Sequence, residues 1–176
     1  MNPKLIEDAY RLLQGELSPE TGIIVDLPYP EAAPLATLLE QYDMPQVRQC
    51  RLLSIYIAIK LALQRHSECS SLAPGETLTR KVLDGDYLYS FYVELCLKWE
   101  EFNLLGHLAP IIKQLQIKRA QGHPEDERLL KAWERFLQLD NNRSTASQAM
   151  FRRLIENENP RKPLSDAKLA ELLKVG

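Results

Sequence analysis

The run from Thr79 to Trp99, TRKVLDGDYLYSFYVELCLKW, constrains the chain most. Asp86, Ser90, Glu94, Lys98 and Glu101 recur at steps of four, four, four and three. That is the period of an α-helix, and it leaves a polar stripe one residue wide. Around it stand Leu83, Tyr87, Leu88, Tyr89, Phe91, Tyr92, Val93, Leu95, Cys96, Leu97 and Trp99. A helix apolar over most of its circumference must be covered on most sides. A second helix of the same kind, opened by Pro45 and spanning 46–65, is nearly apolar all round from Leu52 onward and is predicted to be central.

The other elements follow from punctuation. Pro3 suits a first helical turn and Gly15 a helix end, so 3–14 is predicted as an amphipathic helix. Residues 17–34 hold five of the prolines and glycines, at 19, 22, 28, 30 and 34, and exclude a long helix. Ile23, Ile24, Val25 and Leu27 there predict a short extended segment lying on the bundle. A short helix is expected over 35–41, a polar turn over 66–75, and a joint at Asn103 and Gly106. Helices are expected over 108–119, 125–139 and 144–156, with Asp140-Asn141-Asn142 as a turn, and a last short helix over 164–175. The expected fold is an all-α helical bundle in one domain, 1–176, with its core at about 34–139 and 157–176 as a loosely attached tail.

Charge and composition narrow the function. Twenty-two basic against 24 acidic residues give a formal net charge of −2. Such a balance supplies no drive toward nucleic acid. No apolar run reaches the ~20 residues needed to span a bilayer. Cys50, Cys69 and Cys96 contain no CxxC pair and are expected as reduced thiols in a cytoplasmic protein.

Catalytic patterns are sparse. His66-Ser67-Glu68-Cys69 offers three ligand types in four residues, but a closed zinc site needs four placed ligands. Glycine-rich phosphate loops and a GxSxG elbow are absent from the sequence. Glu125-Asp126-Glu127 reads as acids in a first helical turn. Asp84 and Asp86, two apart on a helix, point about 200° apart and cannot grip one ion. Gly85 reads as a notch that lets another helix approach, beside an Asp86 that needs a partner if buried. No catalytic and no metal-binding residue is expected on this chain.

Val82-Leu83-Asp84-Gly85-Asp86-Tyr87-Leu88-Tyr89-Ser90, preceded by the apolar helix 52–64 and followed by His107–Arg119, resembles the trans-prenyltransferases. The similarity is to the small non-catalytic subunit, component I, of bacterial heterodimeric heptaprenyl or hexaprenyl diphosphate synthases. It covers roughly 34–121, with Gly85, Asp86, Tyr87, Ser90 and Tyr92 in place. Where active members carry a DDxxD motif, this chain has Arg65-His66-Ser67-Glu68-Cys69. The resemblance therefore implies a shortened isoprenyl diphosphate synthase fold without its own chemistry, with magnesium on a catalytic partner. It implies a heterodimer, a role in product length or release for quinone side chains, and an interface on the GD helix. That interface is expected at Leu83, Gly85, Asp86, Tyr87, Ser90, Phe91, Tyr92, Leu95 and Trp99, where aromatic anchors are concentrated. The alternative expectation is a homodimeric all-α binding or scaffold protein. A third is an autonomous enzyme using Glu68, Asp84 or Asp86.

Overall fold

A computed structural model describes residues 2–158. Six α-helices carry them: α1 (Pro3–Glu16), α2 (Tyr29–Leu39), α3 (Gln46–Cys69), α4 (Glu76–Lys98), α5 (Phe102–Ala120) and α6 (Glu127–Glu158). No strand occurs among the described residues. The all-α expectation is met. Two compact units are distinguished, 1–137 and 138–176. The helix expected over 164–175, and the tail from 159 onward, lie outside the described residues.

In the first unit, α3 is the central element. Leu52, Leu53, Ile55, Ile57, Ala58 and Ile59 are fully buried, so both of its faces are covered. Helices α1, α2 and α4 all pack on it, α4 most extensively. Ser54 is the polar exception, and its buried hydroxyl reaches the carbonyls of Cys50 at 2.9 Å and Ala9 at 3.1 Å. That satisfies a buried polar group and ties α1 to α3. The first turn of α6 onward adds Leu129, Trp133 and Phe136, with Trp133 edge-on to Tyr56 at 5.9 Å.

Between α1 and α2, after a single 3-10 turn at Pro19–Thr21, residues 22–28 form an extended strap, as predicted for Ile23 to Leu27, and α1 holds it down. Gln14 donates to Ile23 O at 3.0 Å and accepts from Val25 N at 2.8 Å. The Tyr10 hydroxyl donates to Leu27 O at 2.7 Å. Ile23 and Leu27 point inward while Ile24 is exposed, the alternation of an extended chain. Among the described residues it has no strand partner, so side chains supply the bonds a sheet would supply.

Four boundaries differ from the sequence reading. Helix α1 continues through Gly15 to Glu16 and closes when Leu17 N donates to Leu13 O at 3.0 Å. Helix α2 starts at Tyr29 rather than Leu35 and contains Pro34. The ring removes one N–H, but Ala32, Leu35, Ala36 and Leu39 are completely buried, and that packing holds the helix. His66 to Cys69 is the last turn of α3, not loop, and the turn proper spans 70–75. The joint between α4 and α5 lies at Trp99–Glu101, not at Asn103 and Gly106.

That joint has a local cause. Glu100 adopts a φ of 59°, and Glu101 N donates to Cys96 O at 2.8 Å while Glu100 N donates to Leu97 O at 3.2 Å. This double closure is the usual helix stop, ordinarily made with glycine. Helix α5 ends in the same way with Gly122, at φ 80°. Finally, Asp140-Asn141-Asn142 does not turn. All three residues are helical within α6, where turn-favouring side chains cost only tenths of a kcal/mol each against stronger helix formers.

Candidate functional site

The residues expected to form an interface divide between two sides of α4. Phe91, Tyr92 and Leu95 point inward and are at most 5% exposed, within this chain's own core. Gly85 is buried against α3. Leu83 is 59% exposed, and Asp86 and Ser90 also face outward. Tyr87 is half-buried and stacks on Phe91 with ring centres 5.6 Å apart. Trp99 stands at the far end, beneath the Arg51 guanidinium at 5.8 Å. The polar stripe is exposed at Asp86, Ser90, Glu94 and Lys98. Glu101 leaves it, buried, and takes the Arg48 guanidinium through both carboxylate oxygens at 2.8 and 2.9 Å.

Gly85 is a notch for one side chain. A Cβ built there would lie against Cδ2 and Nε2 of the His66 ring, far inside van der Waals contact. His66 Nε2 lies 3.1 Å from Asp86 Oδ1, and its ring lies 5.2 Å from that of Tyr89. Around this point, charges from several elements answer one another. Arg65, 7% exposed in its side chain, donates to Asp26 at 2.8 Å. Lys81 pairs with Glu68, Lys60 with Glu31, Arg119 with Asp126, and Arg80 with Asp84. The Lys81 bond, against some opposing burial, holds the Glu68 carboxyl below its ordinary range. The pairs at Arg65, Lys60 and Glu68 pin the strap, α2 and α4 to the second half of α3, and Arg119 ties the α5–α6 connection back to α5. Asp84 and Asp86 go to different partners, Arg80 and His66, as their spacing requires. Among the described residues no three His, Cys, Asp or Glu side chains converge as a metal site would need.

Among the grooves of the first unit, two are the most developed. One, of about 570 Å³, is lined by Asp8, Leu12 and Glu16 of α1, Gln46, Val47, Cys50 and Arg51 of α3, and Lys98 and Trp99. The other, of about 460 Å³, runs along Lys60, Leu63, Gln64, Ser67 and Glu68, between α3 and the strap. The first was missed in the sequence, because its lining comes from three separated stretches whose charges look like ordinary solvated faces. Cys50 there has its thiol pushed up by burial and by Asp8, against Arg51.

The second unit presents a different surface. Met150, Phe151, Leu154 and Ile155 are 65%, 64%, 51% and 49% exposed. Their spacing puts them on one side of α6 over two turns. The sequence marks them as a helical stripe, and among the described residues nothing covers it. Arg152 and Arg153 lie about 130° to either side of its centre. No helix among the described residues is long and apolar enough to cross a membrane.

No family model matches the chain, and no solved structure matches it. A stretch of 31 residues, 18% of this chain, is 84% identical to part of the RNA polymerase sigma-54 factor of Xanthomonas euvesicatoria. The match spans 6% of that protein's length. The resemblance to the trans-prenyltransferase family, and to its small non-catalytic subunit, is thereby corrected. The similarity found is to a sigma factor, and no prenyltransferase model recognises the chain. The GD segment misled for a physical reason. Glycine followed by aspartate in an apolar helix serves here to seat a histidine from α3 and pair with it. Any tightly packed helix pair can select such a dipeptide.

Proposed function

We propose that this chain is a helical binding and scaffold protein that self-associates through the second half of α6. The observation that carries the reading is the exposed stripe of Met150, Phe151, Leu154 and Ile155. An unbroken exposed apolar patch on an otherwise polar stretch of helix marks an interaction surface. The stripe is also self-complementary. Antiparallel alignment about a two-fold axis between Arg152 and Arg153 sets Met150 opposite the partner copy's Ile155 and Phe151 opposite its Leu154. A two-fold interface requires that one patch match itself in this way. Eight side chains, each gaining roughly 1–2 kcal/mol on leaving water, support association in about the micromolar range after the cost of immobilising two bodies.

The prenyl synthase subunit, with magnesium on its partner, was an expectation resting on the corrected resemblance, and nothing else in the chain supports it. Self-association is tested by sedimentation velocity across a concentration series. The full chain is expected to pass from monomer to dimer, and Phe151→Asp with Leu154→Asp to stay monomeric with unchanged helix content. A chain that stays monomeric up to about 100 µM, roughly a hundredfold above the affinity range expected, overturns the proposal.

A further inference from the structure

We propose that the groove between α1, the start of α3 and the end of α4 binds an apolar ligand carrying one carboxylate. The reading is independent of self-association, because its lining lies wholly in the first unit.

The groove has the chemistry of a small-molecule site. Its volume, about 570 Å³, lies within the range of such pockets, which are apolar with a few convergent polar groups. Leu12, Val47, Cys50 and Trp99 supply the apolar lining. Val47 is 62% exposed, an unusual position for valine on a helix that buries most of its other aliphatic residues. The Cys50 thiol is held protonated by burial and by Asp8, so it adds no negative charge.

The polar lining selects the head group. Glu16 is taken by Lys98, and Asp8 lies 3.8 Å from Arg11. Arg51 differs: its guanidinium lies over the Trp99 ring and has no carboxylate partner among the described residues. A guanidinium offers two parallel N–H groups to a carboxylate while its flat face stays on the aromatic ring. The ligand's acid is therefore assigned to Arg51 and its hydrocarbon body to Leu12, Val47 and Trp99. The first turn of α3 carries no acidic side chain to oppose an anion there.

Titration with decanoate, followed by tryptophan fluorescence and calorimetry, tests this on the full chain. Saturable binding below about 100 µM is expected (roughly −5.5 kcal/mol), with an emission change lost in Trp99→Phe, where Trp133 remains as the second indole. Arg51→Gln should weaken decanoate at least tenfold and leave decanol unchanged, and Val47→Glu should weaken both. Both variants alter partly or largely exposed positions, and circular dichroism verifies their fold. Decanol binding as tightly as decanoate, unaltered affinity in Arg51→Gln, or no saturation by 1 mM each overturns the proposal. A dimer unaffected by any of these results leaves the α6 reading standing by itself.

Discussion

The ring of His66 fills the space that a side chain at Gly85 would need, and its Nε2 sits 3.1 Å from Asp86 Oδ1. One helix thus inserts a side chain into a notch in its neighbour and bonds to the next residue. On propensity alone, Gly85→Ala should stabilise α4 by about 1 kcal/mol. The seated ring reverses the sign. Gly85→Ala is expected to cost about 1–3 kcal/mol in urea unfolding, the penalty of overpacking. Adding His66→Ala should recover most of it, because the two changes share one cause. Equal losses with and without His66 would contradict the notch.

Glu100 occupies a left-handed position, at φ 59°, that glycine fills without strain at the end of α5. Glu100→Gly is expected to stabilise the chain by about 1 kcal/mol, as seen in the midpoint of chemical unfolding. Glu101→Ala should move the other way by about 2 kcal/mol, since it leaves the Arg48 guanidinium without its two-oxygen partner.

Gln14 gives the strap two of its bonds, to Ile23 O and from Val25 N. Gln14→Ala should cost about 1–2 kcal/mol. Amide exchange at Val25 should accelerate at least tenfold, while α3 amides keep their protection. Uniform acceleration throughout the first unit would show that the strap is not held locally.

Alkali should unfold the chain through its buried acids. Burial, assisted by Glu101, raises the Cys96 thiol from 9.0 to about 12. Burial likewise raises Tyr56 and Tyr92 from 10.0 to about 12, assisted by Glu31 and Cys96 in turn. A group that binds its proton more tightly when folded gives stability that is whole below its unfolded value and lost above it. Stability should be flat up to about pH 9 and decline between pH 9 and 12. Cys96→Ala should lower stability at every pH by its cavity but flatten the slope from pH 9 to 10. Toward acid the sign is opposite. Glu68, held below 4.5 chiefly by Lys81, contributes stability that is lost as pH falls through its folded value. Glu68→Gln should reduce the decline below pH 4.5.

Some of this was written plainly in the chain. The one-residue polar stripe of α4 predicts its exposed edge from Asp86 to Lys98, and Ile23, Ile24, Val25 and Leu27 predict the extended strap. Gly85 is legible as a notch, yet its occupant was not. Four polar residues, His66 to Cys69, look like loop, and only packing against α4 shows them to be the last helical turn. Pro34 in α2 and the Asp140-Asn141-Asn142 run in α6 failed for a related reason. Local preferences of tenths to a few kcal/mol yield to burial or to an uninterrupted helix. The groove beside Trp99 could not be read at all, because proximity among α1, α3 and the end of α4 is a tertiary fact.

The most direct test of self-association through α6 is pairwise cross-linking. In a background of Cys50→Ala, Cys69→Ala and Cys96→Ala, Met150→Cys chains are mixed with Ile155→Cys chains under mild oxidation. An antiparallel two-fold pairing predicts rapid disulfide formation between the two variants and little within either alone. Equal cross-linking in all three samples, or none in any, would contradict it.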